Sequence, residues 1–69
     1  MPAVLIFIRQ QQTQMFLQEQ GGWVNNLTEA QRFESTWEAI DFCMKKGVHR
    51  AEVVMRFGAP QYDVAIDVL

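Results

Sequence analysis

Few groups in this chain could do chemistry. It holds one histidine, one cysteine, eight carboxylates and six basic side chains. Glu52 and Asp67 are the pair to weigh first. Two carboxylates facing each other could share a proton as a general acid, or supply half of a cation site. Neither role has company: no recognisable motif adds a nucleophile, a glycine-rich phosphate loop or a third ligand. The pair therefore reads as solvated, or as neutralised by Arg56 or by an arginine of another chain, and no catalytic residue is assigned. His49, between Val48 and Arg50, reads as an exposed loop residue. Cys43 reads as a small buried hydrophobe, the usual state of a free thiol. Metal ligands must cluster, and these do not, so neither a metal nor a cofactor is expected. The reading is of a protein that is not an enzyme.

Binding is the other kind of chemistry. Phe7 and Phe16, flanked by Arg9 and Arg56, have the residue types of a sheet that stacks single-stranded bases. The charge argues against it. The net charge is −2, the six basic residues are scattered, and Glu52, Asp63 and Asp67 fall on the same face. Nucleic-acid affinity rests mainly on neutralising phosphates, so nucleic acid is disfavoured. A sheet-face binder of a single strand, or of a small aromatic ligand, stays as the alternative.

A protein contact fits the same residues better. Leu5, Phe7, Phe16, Val54 and Ala65 would form an apolar patch. Arg9, Gln14, Gln18, Arg56, Asp63 and Asp67 would rim it. An apolar centre with a polar rim is the anatomy of an interface, and monomers seldom leave one open. The expected contact residues are Leu5, Phe7, Arg9 and Phe16 on one hairpin, with Val54, Arg56 and Ala65 on the other. Phe42 is a possible second contact. The expected partner is a second copy, giving a homodimer or higher oligomer, or another protein. On this reading Phe7→Glu disperses the oligomer without unfolding the chain.

These placements require elements to hold them. Residues 4–9 are rich in β-branched and aromatic types, as strands are. Residues 14–19 alternate polar and apolar. A four-residue loop, 10–13, sets Arg9 opposite Gln14, Phe7 opposite Phe16 and Ile6 opposite Leu17. The second hairpin turns on Gly58-Ala59-Pro60-Gln61. There Met55 faces Val64, Val53 faces Ile66, and Glu52 faces Asp67. One face of that hairpin is wholly apolar, the mark of a sheet covered on one side.

Between the hairpins, Ser35 and Glu38 form a capping box that opens a helix over Thr36–Lys46. Gly47 ends it, and Lys45 and Lys46 suit the negative end of its dipole. At 100° per residue the apolar stripe runs through Trp37, Ile40, Cys43 and Met44, which leaves Phe42 on the outer side. Thr28 could open a further short turn.

The predicted architecture is α+β, a single domain over residues 1–69: a four-stranded, mainly antiparallel sheet in ββαββ order with one principal helix on one face. The strand order 2-1-3-4 follows from a right-handed crossover; 2-1-4-3 stays open. The expected core is Ile6, Ile8, Met15, Leu17, Trp37, Ile40, Met44, Val53, Met55, Val64 and Ile66.

Composition adds one argument. The chain is 49% hydrophobic over 69 residues, while typical chains reach about 45–50% on a count that includes glycine. A small domain is mostly surface, so the surplus suggests a second buried face. No apolar run is long enough to cross a membrane. The opening Met1-Pro2-Ala3 lacks the positive charge of a secretory leader, and the expected location is the cytoplasm.

Overall fold

The computed structural model describes residues 4–68. The opening residues 1–3 therefore lie outside what is described. The chain is an antiparallel sheet with one helix on one face, as expected, but the sheet has five strands. They are β1 (Leu5–Gln10), β2 (Phe16–Leu17), β3 (Trp23–Val24), β4 (Ala51–Arg56) and β5 (Val64–Val68), in the spatial order β3-β2-β1-β4-β5. The four expected strands keep the order 2-1-3-4 among themselves. The additional strand is Trp23–Val24, which folds back on β2 through the Gly21-Gly22 turn. Gly21 takes φ +97° there, a region open to glycine.

The first hairpin differs in register. Arg9, not Phe7, is the partner of Phe16. The loop closes one residue later, over 11–14, with Gln10 N donating to Met15 O at 2.7 Å. Side chains hold the turn where no Gly, Pro or Asn signals it. Thr13 Oγ1 donates to Gln10 Oε1 at 2.6 Å, and Gln14 Nε2 to Gln11 O at 2.8 Å. Gln14 itself takes φ +63°. Partner numbers shift by two, an even slip, so each side chain keeps its face.

The second hairpin has the expected register along its ladder, Ala51 with Val68, Glu52 with Asp67, Val53 with Ile66, Val54 with Ala65 and Met55 with Val64. Its connection is longer than the four residues 58–61 and holds a 3₁₀ turn over Pro60–Tyr62. β1 and β4 pair over their full length, from Leu5 with Arg56 to Gln10 with Ala51.

The helix α1 spans Thr36–Lys46 as expected. Ser35 Oγ accepts from Glu38 N at 3.1 Å, and Gly47 caps the other end at φ +67°. The return arm of the box reaches one residue further back, to Glu34 N at 3.4 Å. Between β3 and α1 a 3₁₀ turn, Leu27–Glu29, is capped by Asn26 rather than opened by Thr28. Main-chain bonds from Gln31 N to Leu17 O and from Phe33 N to Ile6 O then lay this segment along the sheet.

The helix is rotated from its expected setting. Ala39 and Cys43 face the sheet, packed with Ile6, Ile8, Leu17, Ala51 and Val53. Trp37 is 77% exposed and Met44 74%, so neither belongs to the core. Phe42, expected outside, is half-buried and packs edge-on against Phe33 with centroids 5.5 Å apart. The physical reason is fit. Two small side chains let the helix axis come close to β1 and β4, and Phe33 offers Phe42 an aromatic partner. Val64 and Ile66, also expected in the core, are 46% and 38% exposed. They share the helix side of the sheet, but β5 is its edge and one short helix does not reach across.

Candidate functional site

The sheet face away from the helix carries the residues expected to form an interface. Leu5, Phe7 and Arg9 alternate along β1; Glu52, Val54 and Arg56 sit opposite them on β4. Phe16 and Ala65 join from β2 and β5. The structure brings all seven expected contact residues to one face.

It also closes much of that face. Phe7 and Val54 are 0% exposed. The ring of Phe16 stands edge-on to Phe7 at 5.2 Å and 86°, and the Arg56 guanidinium lies over Phe7. Two ion pairs flank these residues. Arg56 holds Asp63 in a fork, Nε to Oδ1 at 3.0 Å and Nη2 to Oδ2 at 2.9 Å. Arg9 donates twice to Glu52 Oε2, at 2.9 and 2.7 Å. All four side chains are largely buried. The hydrogen bond from Arg56 to Asp63 raises the guanidinium pKa above its ordinary value.

This arrangement decides what the carboxylates can do. Glu52 and Asp67 are direct cross-strand partners, yet they do not share a site. Glu52 turns to Arg9, while Asp67 accepts from Gln11 Nε2 at 3.0 Å. A neutralising arginine was the right chemistry, but Arg9 supplies it and Arg56 serves Asp63. Among the described residues no three His, Cys, Asp or Glu side chains group as a metal site would require. His49 is exposed, and Cys43 is buried, with its thiol pKa pushed up by desolvation. Substitution at Phe7 acts on the interior of the chain, which corrects the expectation that Phe7→Glu leaves it folded.

The open apolar surface lies elsewhere. On the helix side, Ile40 and Met44 form the flank of α1 that meets β5, and Trp37 lies one turn before Ile40 on the same groove. That groove, of about 300 Å³, runs along the helix among Trp37, Ile40 and Met44, with Glu38 and Asp41 also lining it. A second, of about 330 Å³, lies between Ile40 and Met44 on the helix and Asp67 and Val68 on β5. Val64 and Ile66 continue the band along the strand. Phe57 and Tyr62 are exposed too, at the turn end of β4 and β5. Sequence reasoning missed this band because it assigned these side chains to the core. The signal was present: four large apolar residues in excess of what one eleven-residue helix can shelter.

Comparison with protein-family models, with curated proteins and with solved structures finds no match to this chain. Among the described residues, no helix is long and apolar enough to cross a membrane.

Proposed function

We propose that the protein is a small non-enzymatic interaction module whose partner is a second copy of itself. One observation carries the reading: Trp37 and Met44 on the helix and Val64 and Ile66 on the edge strand are all exposed on the helix side of the sheet, where a groove joins Met44 to β5. Monomers seldom leave large apolar side chains in one contiguous patch, and two-fold dimers are the commonest oligomers. The contact surface is this band. Of the seven residues first expected, Ala65 alone lies on β5, at its border. The other sheet face is occupied by its own ion pairs, and base stacking would need ring faces that Arg56 and Phe16 close. The location proposed is the cytoplasm, with which the single free thiol, Cys43, is compatible.

Sedimentation at micromolar concentration tests the reading. The wild type is expected at twice the chain mass. Trp37→Glu combined with Met44→Glu is expected at the mass of one chain, with an unchanged circular dichroism spectrum. A wild type that sediments as a single chain overturns the proposal.

A further inference from the structure

We infer that the second copy docks edge to edge, β5 against β5, antiparallel about a two-fold axis through Ile66, so that two five-stranded sheets become one. The inference rests on the self-association proposed above and names its geometry.

The two sheet edges are unlike. At one end β3 has two residues, Trp23–Val24, and short edge strands are a standard protection against pairing. At the other end β5 has five, Val64-Ala65-Ile66-Asp67-Val68. It contains no proline and no lysine, and its first four residues are exposed. Among the described residues no strand pairs with its outer side. The main-chain groups on that side face solvent and are open to pairing with another strand.

Identical strands related by a two-fold axis must run antiparallel, so only the central residue is left to choose. Charge decides it. Centred on Asp67, each Asp67 faces its own copy. Centred on Ala65, Asp67 faces Asp63 of the second copy. Both set like charges opposite each other, which is destabilising. Centred on Ile66, Asp67 faces Ala65 of the second copy. Val64 then faces Val68, and Ile66 faces Ile66, all on the helix side. Of the three registers centred in the middle of β5, that one alone sets no carboxylate directly opposite another, and it joins the apolar residues. It also sets Val64 of the second copy beside Val68, where it walls the groove between Ile40, Met44, Asp67 and Val68.

Cross-linking reads the register directly. Opposed residues of an antiparallel pair lie about 4.5–5.5 Å apart at Cα, within disulfide range. Ile66→Cys, Ala65→Cys and Asp67→Cys are each made singly and oxidised mildly; native Cys43, 1% exposed, is out of reach. Ile66→Cys is expected to give a covalent dimer, and the other two are not. Linkage mainly through residue 65 or 67 overturns the register. Because a variant can perturb the edge, the wild type supplies a second readout. Main-chain amides of β5 that point away from β4 are expected to exchange slowly in the dimer and rapidly on dilution. A wild-type dimer with fast exchange at those amides and no linkage at any of the three positions overturns edge pairing while sparing self-association. A wild type that sediments as one chain overturns both.

Discussion

The guanidinium of Arg56 lies 5.3 Å from the centroid of the Phe7 ring. Held in place by Asp63, it acts as a lid on an aromatic side chain that has no exposed surface. A charged residue thereby completes a second, smaller core on the face away from the helix. That arrangement makes specific demands on Arg56.

Arg56→Ala uncovers Phe7 and leaves Asp63 without its partner. Removing one member of a buried pair is costly, and the cation–ring contact is lost with it. The expected loss is about 2–4 kcal/mol, read from urea unfolding. Arg56→Met with Asp63→Leu replaces both charges by apolar groups and is expected to recover most of that loss. An Arg56→Ala variant within about 0.5 kcal/mol of wild type would show that the lid has no structural role. The contact should not fade with pH on the guanidinium side. Its folded pKa is raised, so its contribution is present below the unfolded value and is lost only as pH rises through the folded value, beyond the ordinary range.

Phe7→Ala removes the ring under that lid. Truncating a fully buried phenylalanine costs about 3–5 kcal/mol, and a core this small supplies a total of about that size. The variant is expected to lose its circular dichroism signal at room temperature. A folded, fully cooperative Phe7→Ala protein would contradict the burial.

Cys43 gives the fold an alkaline limit. Burial raises its pKa above the ordinary thiol value of 9.0. Above that value the unfolded chain releases the proton while the folded one keeps it, so stability falls as pH rises, by at most about 1.4 kcal/mol per pH unit. Stability of wild type and Cys43→Ala measured from pH 7 upwards should diverge in slope above that value. Parallel curves would refute it. The native thiol should also react slowly with aromatic disulfides until urea unfolds the chain.

Ser35→Ala deletes the hydrogen bond to Glu38 N that starts α1. The expected cost is about 1 kcal/mol, and Ser35→Asp should retain most of the stability. Thermal melts of the two variants distinguish a cap from an ordinary surface serine, for which both changes would be neutral.

Sequence alone determined what is local. The helix bounds follow from Ser35, Glu38 and Gly47, all within one turn of the ends they set. The register of β4 with β5 follows from a short turn and a strict alternation, which a slip of one residue would invert. Tertiary structure decided the rest. Periodicity ranks side chains by hydrophobicity, and Trp37 and Met44 outrank Ala39. A helix on a sheet is seated by volume: the small Ala39 and Cys43 allow close approach, and Phe33, brought in by a separate segment, claims Phe42. Phe7 is closed by Arg56: the hold of Arg56 on Asp63 is local to one hairpin, but its place over Phe7 depends on β1 lying beside β4. No local pattern encodes that neighbour, because strand order is set by which faces can be covered across the whole chain.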